Sequence, residues 1–100
     1  MIKHIVVWTL KDQAEGMTKQ QNLQKMKTLL EALPNKILQI KGFQVGLNKF
    51  PSDAAADISL ISEFTNKADL DIYQNHPEHK KVAEFIGKIR NQRFVVDYEF

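Results

Sequence analysis

Three side chains in this sequence could move protons near neutral pH: His4, close to the start, and Tyr73 and His79, which bracket the dipeptide His76-Pro77. An imidazole that titrates near neutrality can accept a proton from a carbon acid, while a phenol donates to the carbonyl oxygen or orients it. Six residues along an unbroken helix would turn Tyr73 and His79 off a common face. Their pairing therefore depends on the break that Pro77 supplies. A bland alternative for His79 is a local hydrogen bond in the first turn of a helix. His4 shares a strand parity with Val6 and Trp8, which puts it in a pocket or in the core, and a buried imidazole needs a partner in either place.

Other chemistries find less support. His76 and His79 stand three apart with Glu78 between them, but no third and fourth ligand follow at suitable spacing, so no metal site is expected. The absence of cysteine removes disulfides, thiolate catalysis and sulfur-bound zinc together. No Gly-x-Ser-x-Gly elbow and no glycine-rich nucleotide loop occur, and no cofactor is implied. A net charge of +2 is too balanced for a nucleic-acid footprint. Lys80, Lys81, Lys88, Arg90 and Arg93 read as the solvated face and end of a helix, without the interleaved aromatics that stack on bases. No apolar run approaches the roughly 20 residues of a membrane span, and Lys3 and His4 interrupt the first apolar stretch. A mature cytoplasmic protein is the expectation.

The elements that must position these residues follow from hydrophobic period. With 43% hydrophobic and 26% charged residues, the 100 residues suit one domain, residues 1–100, with a single core. Residues 2–10, IKHIVVWTL, are a strand apolar on both faces, a pattern suited to burial on both sides. Residues 11–17 read as a polar loop. Thr18 and Gln21 have capping-box spacing, and Leu23, Met26, Leu29, Leu30 and Leu33 then make one helical stripe that Pro34 closes. Phe43, Val45 and Leu47 mark a second strand, in which Gly42 and Gly46 suggest a bend or bulge. A loop at 49–56 leads to a third strand at 57–64. Asn66 is a plausible cap for a helix carrying Leu70 and Tyr73, and Pro77 restarts a helix with the stripe Val82, Phe85, Ile86, Ile89. Residues 93–100 make a last strand. Trp8 and Phe94 could line a ligand pocket, although strand aromatics are first of all packing groups.

The order is βαββαβ, an α+β ferredoxin-like arrangement with a four-stranded antiparallel sheet and helices on one face. Helices on one face cannot cover both apolar faces of the first strand. Each Å² of apolar surface left wet forgoes about 25 cal/mol, which a marginally stable chain can hardly bear. A two-fold dimer that closes the open faces into an α/β barrel is the simplest remedy.

The opening Ile2-Lys3-His4-Ile5-Val6, the segment Ile40 to Gly46, Ser62-Glu63-Phe64, the run Tyr73-Gln74-Asn75-His76-Pro77-Glu78-His79 and the closing Val96-Asp97-Tyr98 together resemble the stress-responsive A/B barrel domain family, Dabb. The resemblance spans essentially the whole chain and implies a dimeric α+β barrel. It extends to a plant member, olivetolic acid cyclase, which closes a polyketide ring with a tyrosine and a histidine. Tyr73 and His79 match those positions and His4 matches a pocket histidine, whereas Ile58 stands where the cyclase has another histidine. The resemblance thus implies a homodimeric stress-response barrel with room for a small apolar or aromatic ligand. Its alternative is a cofactor-independent, cyclase- or monooxygenase-like enzyme acting on a small carbonyl, polyketide-like or aromatic compound.

Overall fold

The computed structural model describes residues 1–100. Strand β1 (Ile2–Leu10) is followed by two short strands, β2 (Gln13–Ala14) and β3 (Met17–Thr18), and by helix α1 (Lys19–Glu31). A 3₁₀ turn at Leu33–Asn35 leads to β4 (Gly42–Leu47) and β5 (Ile58–Phe64), then to α2 (Lys67–Asn75), α3 (Pro77–Ile89) and β6 (Arg90–Glu99). The four long strands form one antiparallel sheet in the order β4-β5-β1-β6. This is the ferredoxin-like α+β fold, and β1 occupies its middle.

Period explains which side chains meet. Val6, Trp8 and Leu10 of β1 and Ile58, Leu60 and Phe64 of β5 are buried, and with Leu23, Met26 and Leu30 of α1 and Val82, Ile86 and Ile89 of α3 they form the core. The opposite parity of the sheet remains open. There Ile5 pairs with Ile61 and Val96, and Val7 with Phe94, so the open face is apolar at its centre. Phe94 and Val96 are 60% and 53% exposed in the single chain, and every residue of β6 is exposed.

The helix boundaries are set by chemistry already present in the sequence. Thr18 and Gln21 make the capping box, and the Asn66 side chain accepts from the Asp69 N–H at 2.9 Å. His76 has extended backbone and ends α2, and its Nδ1 accepts from the Glu78 N–H at 3.1 Å to cap α3. Pro77 occupies the first turn of α3, where its missing N–H costs nothing.

Four expectations need correction. Residues 11–17 are not wholly loop. A two-residue turn with Glu15 at φ 52° and Gly16 at φ 74° folds β2 onto β3, the primed geometry that suits hairpins. Fully buried Asn22 holds this hairpin to α1 by donating to the Ala14 carbonyl at 3.0 Å. Helix α1 ends at Glu31, ahead of Pro34, which instead lies second in the 3₁₀ turn that Leu33 begins. Gly42 and Gly46 lie in an unbroken register with β5, opposite Glu63 and Ser59, so neither marks a bulge. The bulge lies elsewhere. Trp8 pairs with Arg93 and Thr9 with Gln92, but Leu10 pairs with Arg90, which leaves Asn91 as the extra residue of β6. The last strand accordingly starts at Arg90, three residues earlier than its hydrophobic pattern suggests.

Candidate functional site

A cavity of about 280 Å³ opens between the helix-covered face of the sheet and α3. Its wall takes His4, Val6 and Trp8 from β1, Leu60 from β5, Leu30 from α1 and Tyr73 from α2. His79, Val82, Ala83, Ile86 and Gly87 of α3 and Arg90 and Arg93 of β6 complete it. The size is at the lower end for small-molecule sites, and an apolar wall with a few converging polar groups is their usual makeup. It lies on the face away from the open sheet surface.

The three residues singled out by type meet here. The rings of Tyr73 and His79 stand 4.5 Å apart between centroids, and those of His4 and Tyr73 stand 6.4 Å apart, edge to face. The break at His76, whose extended backbone separates the last turn of α2 from the first turn of α3, makes this possible. Phe64 and Phe43 pack on further sides of the Tyr73 ring, at 4.9 and 6.4 Å. Tyr73 is 1% exposed, so its position is set by packing and not by choice of rotamer in solvent.

Hydrogen bonds fix the tautomers. A carbonyl oxygen only accepts, so His79 Nδ1 must carry the proton it donates to the Gln74 carbonyl at 3.1 Å. Nε2 of His79 is then the ring nitrogen with a free lone pair. His4 is similarly placed: its Nδ1 bonds the Asp97 carboxylate across the β1–β6 pair. The Ser62 hydroxyl donates to the His4 carbonyl at 3.1 Å and ties the same point to β5. The local hydrogen bond expected of His79 is present, and it holds a ring that also lines the cavity.

Burial sets the charge states. Desolvation pushes the Tyr73 phenol well above its usual range, against a smaller opposing pull from the Arg93 charge. Tyr73 is thus a neutral O–H donor at any physiological pH. Desolvation also lowers His79 below the ordinary imidazole value, opposed by its bond to Gln74 and reinforced by His4, Arg93 and His76. A neutral imidazole beside a protonated phenol can take a proton and hold an oxygen that gains charge.

Sequence reasoning missed three residues. Asp97, which holds His4, lies 93 positions away from it, and only strand register joins them. Arg90 and Arg93 were grouped with the solvated face and end of a helix, Arg93 also opening the last strand, but both lie in β6 and line the cavity. Phe94, offered as a pocket residue, points to the opposite face with Val7, while Trp8 does reach the cavity. His76 serves as a helix cap. No group of three or more His, Cys, Asp or Glu side chains is arranged to hold a metal ion.

Comparison with known proteins gives the same architecture. A protein of unknown function and ferredoxin-like fold from Bacteroides fragilis, described as dimeric, is 38% identical with a TM-score of 0.88, over 99% of this chain and 95% of its own. A dimeric ferredoxin-like protein of unknown function from Thermobifida fusca shares 20% identity with a TM-score of 0.85, over 99% of this chain and 90% of its own. A hydroxynitrile lyase from Passiflora edulis shares 22% identity with a TM-score of 0.80, over 97% and 90%. At those two lower identities the likeness shows the fold alone. No curated protein matches the chain in sequence. The match that spans residues 2–100 is to the stress responsive A/B barrel domain, and the chain belongs to that family, Dabb.

Proposed function

We propose that the protein is a homodimer in which each protomer binds a small carbonyl or aromatic compound and moves a proton on it without a cofactor. His79 Nε2 takes the proton from the carbon beside the carbonyl, and the electron pair that held it passes to the carbonyl oxygen. Tyr73 donates its hydroxyl to that oxygen, and the proton returns to carbon from His79 to complete the exchange. His4, oriented by Asp97, closes the polar side of the cavity. The observation that carries this reading is the meeting of Tyr73, His79 and His4 in one cavity with both histidine Nδ1 atoms already engaged. The hydroxynitrile lyase among the structural neighbours is consistent with chemistry on this fold.

Dimerisation is supported by the open sheet face and by the dimeric neighbours from Bacteroides fragilis and Thermobifida fusca. A stress-response role, which the family description carries, and a cytoplasmic location belong to the same proposal. No helix is long and apolar enough to cross a membrane.

Acetophenone in D₂O tests the chemistry. Loss of its methyl-proton NMR signal should run faster with protein than in buffer, and His79→Gln should slow the protein-dependent rate roughly 100-fold or more, the range of a general base. Tyr73→Phe should slow it while leaving the fold intact. Exchange at the buffer rate, or equal exchange by both variants and the parent, would leave a binding protein without this activity.

A further inference from the structure

We infer that the ligand of this cavity is an anion, a carboxylate or an equivalent oxyanion on an apolar body, and that Arg93 and Arg90 hold its charged end. The inference rests on the cavity being a ligand site and adds the chemical class of the occupant.

The first observation is one of register. Arg90 and Arg93 are three apart, and in a regular strand such residues lie on opposite faces. The extra residue Asn91 changes this, because it lets Leu10 pair with Arg90 while Trp8 pairs with Arg93. Both guanidinium groups therefore reach the cavity side, and both line it. A bulge beside a cavity commonly re-aims a side chain, and here it doubles the positive charge on one wall.

The second observation is the missing counter-charge. Neither arginine forms an ion pair with any acid of the chain, although Lys3, Lys19, Lys36, Lys67, Lys81 and Lys88 all do. No Asp or Glu lines the cavity, and the acid nearest in function, Asp97, is engaged by His4. The wall thus holds two fixed positive charges and otherwise only neutral or imidazole groups. Guanidinium planes match the geometry of a carboxylate, which a single lysine would not.

A third observation concerns Trp8. Its residue is 4% exposed, and its indole N–H has no hydrogen-bond partner in the protein. Among the cavity-lining side chains it is the buried donor left in that state, and its register partner is Arg93. The nitrogen itself is sealed from the cavity space, so Trp8 offers a ligand its ring beside Arg93 and not its N–H. The polarity of the wall places the charged end of a ligand toward Arg93 and Arg90, and its apolar body along Val82, Ile86 and Leu60.

Trp8 is the sole tryptophan, so its fluorescence reports occupancy directly. Benzoate and benzamide, equal in shape and different in charge, are titrated into the full-length protein at pH 7. Benzoate should bind at least tenfold more tightly than benzamide, and Arg93→Gln and the double variant Arg90→Gln with Arg93→Gln should bring the two within about twofold. Circular dichroism confirms that the variants remain folded, and Arg93→Lys, which keeps the charge, should retain a preference for benzoate. Equal affinities in the parent, or an anion preference that survives in the double variant, would overturn the inference while leaving the cavity a ligand site. Binding of neither compound would overturn it together with the ligand-site reading.

Discussion

His79 ties stability to pH through a shift whose sign is fixed by burial. Its folded-state value lies below the ordinary 6.5, so on acidification the unfolded chain takes up the proton first. The stability contributed by neutral, buried His79 is complete above about pH 6.5 and declines as pH falls below it toward the folded value. Urea titrations at pH 7.5 and 5.5 should therefore show a smaller loss for His79→Gln than for the parent. Asp97→Ala removes the carboxylate that engages buried His4. We expect a cost of about 1 kcal/mol in the same assay, at the low end for a buried polar group because Asp97 is itself 42% exposed and water replaces part of the bond. Lys80→Ala, on the solvated side of α3, should stay within about 0.5 kcal/mol. His4, Tyr73 and His79 could be named from residue type because each is chemically distinctive. Asp97, Arg90 and Arg93 could not, since acids and arginines are common on surfaces and only cross-strand register brings Asp97 to His4 and the two arginines to the cavity.

At the level of elements, the caps carry the site. Asn66 starts α2 and His76 starts α3, and between them they decide how Tyr73 and His79 approach each other. Asn66→Ala should cost about 1 kcal/mol in chemical denaturation, the usual loss of a side-chain cap. His76→Ala should cost a similar amount, and it should also blur the ring contact between Tyr73 and His79, seen as a change in near-ultraviolet circular dichroism of Tyr73. Strong periodicity made the long elements readable: β1, β5 and α3 are where apolar spacing puts them, and α1 stops just short of the last Leu of its stripe. The β2–β3 hairpin was hidden because two-residue strands have no period, and its signature lies in backbone angles at Glu15 and Gly16. The start of β6 was hidden too, because Arg90-Asn91-Gln92-Arg93 is polar throughout and the bulge it contains obeys no alternation.

For the molecule as a whole, the open face is the feature with most at stake. Phe94 and Val96 stand beside Ile5, Val7 and Ile61 with no helix over them. Val96→Lys places a charge at the centre of that surface. The parent should run as a dimer in sedimentation at micromolar concentration, and the variant as a monomer with a lower melting temperature. A dimer unaffected by the substitution would place the interface elsewhere. The doubled apolar pattern of β1 was enough to foresee an uncovered sheet surface, but the location of the cavity on the other side of the sheet was not, because it depends on how far α3 stands off from β1 and β6.

The sheet order also has a consequence in time. Strand β1 leaves the ribosome well before both of its neighbours, since β5 and β6 are made from residues 58–99. At roughly 5–20 residues per second, IKHIVVWTL waits several seconds with both edges unpaired, the sticky state that chaperones shield. The histidine it carries gains its acid only when the last strand arrives, so nascent chains hold no finished pocket however well their helices have formed.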